Sequence, residues 1–170
     1  MAKIKSKRGR AGYVYFKELG GAPARQGLSK TARTLLDAGL IRGRTLDYGC
    51  GLGFDAREQG WDAYDPYYRP VAPAGPYDTI LVNHVANMLT RSSRQELFQA
   101  VNALLGPRGM AYVSVARNIP ARGKAGLRRR IQNYVVLTLP SVFRDEEEEI
   151  YRLDKDAAFE DRTREFEQGV

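Results

Sequence analysis

The chain has one cysteine, one histidine and one tryptophan in 170 residues, and each scarcity removes a class of protein. Cys50 alone cannot close an intramolecular disulfide, and Cys50 with His84 is too few ligands for a zinc site. Disulfide and structural-metal scaffolds are therefore not expected. No apolar run approaches the roughly 18 residues needed to cross a bilayer, and the N-terminus lacks the apolar core of a signal peptide. The expectation is a soluble, cytoplasmic protein with no membrane partner. What is present is ordinary for a globular chain: 43% hydrophobic and 28% charged residues can bury a core, and 170 residues hold one compact domain rather than two.

The net charge of +7 is unevenly spread. Residues 1–45 carry eleven basic against two acidic residues, and residues 119–140 carry five basic and none acidic. Residues 46–118 are close to balance, and residues 141–170 carry eleven acidic against five basic. The basic segments are a solvated tail or a surface that draws phosphates and other anions, so nucleic acid stays open as a partner.

Hydrophobic spacing and punctuation predict a helix over residues 29–38, capped by Ser29 and ended at Gly39. They then predict a strand over Arg44–Tyr48, a glycine turn over Gly49–Gly53, a helix around Asp55–Gln59 and a strand over Trp61–Tyr64. Pro66, Pro70, Pro73 and Pro76 make residues 66–76 a loop, since proline removes a backbone donor and breaks helix and central strand alike. A strand over Thr79–Val82 follows, then a helix capped by Ser92 or Ser93 and stopped by Gly106 and Pro107, then a strand over Met110–Val115. Tyr134–Leu139 and Ile150–Leu153 read as two last strands joined by the acidic turn Arg144–Glu149. Alternating strands and helices predict an α/β domain with a mainly parallel sheet and a ligand site at the carboxyl ends of its strands.

The segment richest in chemistry is Leu46-Asp47-Tyr48-Gly49-Cys50-Gly51-Leu52-Gly53, an acid followed by glycines at every second position between a strand and a helix. Glycines without Cβ let a ligand lie against the backbone, and the helix start offers free N–H groups. A dinucleotide fingerprint needs glycine at position 54, which is Phe54, and no Gly-Lys-Ser or Gly-Lys-Thr triplet exists for a nucleoside triphosphate loop.

This arrangement, with Asp65 at the end of the next strand, resembles the class I S-adenosylmethionine-dependent methyltransferases over about residues 29–153. Leu46–Gly53 is similar to their first motif, Asp65 to their ribose-binding acid, Tyr77–Leu89 to their fourth-strand motif, and Leu105–Val115 to the lead into their fifth strand. Leu28-Ser29-Lys30, Asp65-Pro66-Tyr67, Val82–Leu89 and Leu139–Val142 further resemble small bacterial and phage methyltransferases, some found near DNA-modification genes. The resemblance implies a Rossmann-like three-layer sandwich with the third strand missing, strands in family order 2-1-4-5-7-6 and the last strand antiparallel. It also implies S-adenosylmethionine as cofactor, held by Asp47, Gly49, Cys50, Gly51, Gly53, Asp65, Pro66, Asn83 and Arg33, with no metal. Three of these have a second reading: Asp65 as a turn cap, Asp47 as an anchor of its own loop, and Arg33 as a surface side chain.

His84 follows the fourth strand of that scheme and is the candidate catalytic base for an O or N acceptor, or a histidine that packs and hydrogen-bonds there. Asp65-Pro66-Tyr67-Tyr68 imitates a DNA amino-methyltransferase signature but ends the wrong strand, and Cys50 sits in the cofactor loop rather than where a cytosine C5 enzyme needs its nucleophile. Residues 1–28 are expected to form a basic arm, with 8–28 closing over the cofactor, and residues 154–170 a charged tail. Arg128–Arg130 either steers an anionic acceptor or is a solvated face. The alternative function is a nucleic-acid-binding or regulatory module that keeps the fold without turnover. The acceptor and the oligomeric state are not specified by the sequence.

Overall fold

The computed structural model describes residues 22–126 and 130–167. The first helix, α1 (Lys30–Asp37), begins where Ser29 Oγ accepts the Ala32 amide at 3.1 Å. It ends before Gly39, whose φ of +66° suits a residue without Cβ. Its buried side chains Thr31, Ala32 and Leu35 form one stripe, and Ala32 and Leu35 pack against Leu81, Tyr112 and Ile150 of the sheet. The second helix, α2 (Phe54–Gln59), sits beside it, joined by the Ser29 amide donating to Asp55 Oδ1 at 2.8 Å.

In chain order the strands are β1 (Thr45–Tyr48), β2 (Asp62–Tyr64), β3 (Tyr77–Asn83), β4 (Leu105–Ala116), β5 (Lys124–Ala125), β6 (Ile131–Gln132), β7 (Ser141–Arg144) and β8 (Glu148–Asp154). Six of them make one sheet in the order β2-β1-β3-β4-β8-β7. The first four are parallel, and β8 runs antiparallel to both β4 and β7. This is the strand order expected from the sequence, and no strand forms across residues 66–76, where only the bridge between Asp65 and Arg69 interrupts the loop. The separate β5 and β6 pair was not expected; it is a two-residue antiparallel ladder.

Strand alternation sorts the core into two faces. Leu46, Tyr48, Ile80 and Val82 face the third helix, α3 (Arg91–Leu104), and meet its Leu97, Phe98, Val101 and Leu104. Asp47 and Leu81, which are register partners, face α1 instead. Helix α3 starts two or three residues earlier than expected, because Thr90 rather than Ser92 or Ser93 is the cap and Ser93 supplies the amide it accepts.

Tyr134–Leu139 is not a strand of the sheet, contrary to its alternation, and the edge strand is Ser141–Arg144 instead. Val135, Leu137 and Leu139 are buried because they cover the α3 face of the sheet. The intervening residues tie this segment to the C-terminal one, through Thr138 N–H to Glu160 O at 3.0 Å and Arg162 N–H to Val136 O at 2.8 Å. Ala157 and Phe159 pack against the same core, so extended chain rather than a helix completes the outer layer beside α3. No helix among the described residues is long and apolar enough to cross a membrane.

Candidate active site

The carboxyl ends of β1, β2 and β3 open into a cleft of about 360 Å³. Asp47, Gly49, Cys50, Gly51, Asp65, Pro66, Asn83 and His84 all line it. Two residues marked in the sequence do not. Gly53 stands behind the loop as the left-handed N-cap of α2, and Arg33 is an exposed side chain on α1.

The loop after β1 is tied down at both ends. Gly49 and Cys50 donate their amides to Tyr64 O at 2.7 and 3.0 Å, and Gly51 donates to Asp65 Oδ2 at 3.0 Å. Gly49 and Gly51 both have positive φ, +87° and +57°. A Cβ on Gly49 would lie 2.4 Å from Val85 Cγ2, and one on Gly51 would lie 2.6 Å from Ala22 Cβ. The loop needs glycine for conformation and for space at both positions.

Asp65 accepts three backbone amides: Gly51 at Oδ2, and Tyr67 and Tyr68 at Oδ1 over 2.8 and 2.9 Å. It thereby ends β2, shapes the turn that follows and fixes the glycine loop. Asp47 is different. It is only 4% exposed, and its Oδ1 is buried with no hydrogen-bond partner among the described residues. Burial, reinforced by the charge of Asp55 and opposed by Arg25, pushes its pKa up to about 7. Burial also pushes the Cys50 thiol up to about 12, helped by Asp47 and Asp65, so it is a poor nucleophile.

His84 lies just beyond β3 with φ +53°, a left-handed conformation that few side chains adopt. Its amide reaches Ser114 O and Ser114 Oγ, both at 3.1 Å. Its ring places Nε2 3.1 Å from Glu148 Oε2. Beyond it, Val85, Asn87, Met88, Arg130 and Gln132 continue the lining, and Asn87 Nδ2 donates to Gln132 Oε1 at 3.2 Å.

Sequence reasoning missed Arg25, Glu148 and Asn87. Arg25 stands ahead of the helix where Arg33 was expected to serve. Glu148 was hidden in an acidic run that reads as a solvated turn, and only its pairing opposite Ala116 turns it inward. Ala22, Pro23 and Arg25 line the cleft. Residues 1–21 of the basic arm, Tyr13–Phe16 among them, and Arg128 and Arg129 lie outside the described residues.

No family model matches the chain, and no curated protein sequence matches it. Solved structures do. A Burkholderia thailandensis 1,6-didemethyltoxoflavin-N1-methyltransferase, solved with 1,6-didemethyltoxoflavin and S-adenosylhomocysteine, is 19% identical. The match covers 74% of this chain and 77% of that one with a TM-score of 0.53. The PH0226 protein of Pyrococcus horikoshii OT3 is 11% identical, over 74% of this chain and 90% of that one, with a TM-score of 0.51. The chain has the fold of the class I S-adenosylmethionine-dependent methyltransferases.

Proposed function

We propose that this chain is an S-adenosylmethionine-dependent methyltransferase that moves a methyl group to an O or N atom of its acceptor. The observation that carries the reading is the unpartnered buried oxygen of Asp47 beneath the glycine loop. A buried carboxylate without a partner is costly, and a cationic ammonium group beside it removes that cost. The donor's methionine part offers such a group.

The other lining residues fit the rest of the donor. Gly49 and Gly51 present bare backbone on either side of Cys50, Pro66 and Asn83 flank this loop, and Arg25 brings a guanidinium to the lining that suits a carboxylate. Asp65 already accepts three amides of the roughly four bonds a carboxylate can take, which leaves room for one ribose hydroxyl rather than two. When bound, S-adenosylmethionine supplies a sulfonium methyl group open to in-line displacement, so the protein's work is orientation, exclusion of water and removal of the acceptor's proton. His84 lines the same cleft, and we assign it the role of taking that proton.

The direct test is transfer of labelled methyl from S-adenosylmethionine into fractionated cell extract by the purified chain. Label in a fraction that depends on the protein and disappears with Asp47→Ala supports the reading. Absence of protein-dependent label, with strong salt-dependent binding to DNA or RNA instead, points to the nucleic-acid module.

A further inference from the structure

The proton inventory around Glu148 goes further than the presence of a histidine. Glu148 is only 1% exposed, on β8, and faces α1. Its Oε2 lies 2.8 Å from Thr31 Oγ and 3.1 Å from His84 Nε2. Thr31 has one hydroxyl proton and three acceptors in reach: Asn83 Oδ1, Ser114 Oγ and Glu148 Oε2. Ser114 meets the need of Asn83 by donating to its Oδ1 at 3.0 Å, and the Ser114 oxygen already receives the His84 amide. The Thr31 proton is thus best placed on Glu148, its shortest contact. Glu148 Oε1 is buried with no hydrogen-bond partner among the described residues, and Oε2, as the acceptor for Thr31, is the acceptor toward the imidazole as well, so the nitrogen facing it carries a proton.

We propose that Glu148 is a positioning residue that fixes His84 as the Nε2–H tautomer, leaving Nδ1 as the base for an acceptor with a neutral O–H or N–H. The proposal rests on the methyl-transfer reading. The acceptor's lone pair forms the new bond to the methyl carbon while the carbon–sulfur pair stays on sulfur. The acceptor's proton passes to Nδ1, and the imidazolium so formed is paired with the Glu148 carboxylate until the proton leaves to solvent.

His84 is the one histidine of the 170-residue chain, so a single imidazole gives the whole signal when this chain carries 15N-labelled histidine. Nitrogen-detected spectra above the imidazole's titration range should show Nε2 protonated and Nδ1 bare, with the Nε2 proton directly visible. Glu148→Leu should abolish that proton line. A proton on Nδ1, or a wild-type Nε2 proton too exchangeable to see, would overturn the proposal. The wild-type spectrum decides by itself, so a Glu148→Leu chain that fails to fold does not weaken the test. A second arm treats labelled product with mild alkali: methyl ethers and N-methyl groups stay bound, whereas release of labelled methanol marks a methyl ester, formed on a carboxylate, and overturns the acceptor class. Failure to bind S-adenosylhomocysteine would sink the methyl-transfer reading itself and is read separately by calorimetry.

Discussion

The Asp65 carboxylate holds the Gly51 amide at 3.0 Å across the gap between the ends of β2 and β1. One side chain therefore sets both the glycine loop and the turn beyond β2, where it accepts the amides of Tyr67 and Tyr68. Asp65→Ala should weaken S-adenosylhomocysteine binding by about 1.5–3 kcal/mol, the range for losing hydrogen bonds to a charged group. It should also lower the melting temperature. Asp65→Asn can still accept the two turn amides, so it should keep most of the stability and lose binding. Equal binding in wild type and both variants would remove Asp65 from the site.

Gly49 is tested by pairing it with its neighbour. Gly49→Ala forces a side chain into the left-handed region and onto Val85 Cγ2, and should cost about 2–4 kcal/mol of stability in a urea titration. Val85→Ala in the same chain removes the contact but not the backbone strain, so about half of the loss should return. No recovery would mean that the steric account of this loop is wrong.

The glycine loop is legible in the sequence because an acid and alternating glycines between a strand and a helix leave few other conformations. The proline-punctuated gap is legible for the same local reason. What the sequence hides is set by distant partners. Val135, Leu137 and Leu139 alternate like a strand, yet they cover the sheet while the residues between them bond to residues 160–163. Glu148 looks like one more solvated acid until β8 pairs with β4 and turns it toward Thr31 and His84. Arg33 is placed by helix spacing, but the α1 stripe of Thr31, Ala32 and Leu35 faces the sheet and leaves Arg33 outside.

The C-terminal segment is clamped by a buried cation. Arg94 is fully buried on α3; its Nε meets Asp161 Oδ2 at 2.7 Å, its Nη2 meets Glu165 and its Nη1 donates to Leu89 O. Truncation after Asp154 removes both carboxylates together with the core contacts of Ala157 and Phe159, and should cost at least about 3–5 kcal/mol in urea titration, the penalty for a buried charge left unpaired. Arg94→Met in the truncated chain should recover part of that loss. A truncated chain as stable as the full one would show that the clamp contributes little.

Asp47 gives a pH signature. Its folded pKa of about 7 lies above the ordinary 3.8, so the folded chain keeps a proton that the unfolded chain has lost. The stability linked to this group is complete below about pH 4 and is lost as pH rises through about 7. Asp47→Asn should therefore raise the melting temperature at about pH 8, by about 3–10 °C, and change it little near pH 4. A variant that melts with wild type at both pH values would contradict the buried, unpartnered carboxylate.

Calorimetric titration of the full chain with S-adenosylmethionine tests the central claim most directly. Saturable one-to-one binding is expected with a dissociation constant of about 1–100 μM, some −5 to −8 kcal/mol. Asp47→Ala should weaken that binding at least about tenfold. No saturable heat up to millimolar donor, confirmed at a second temperature, would contradict the methyltransferase reading.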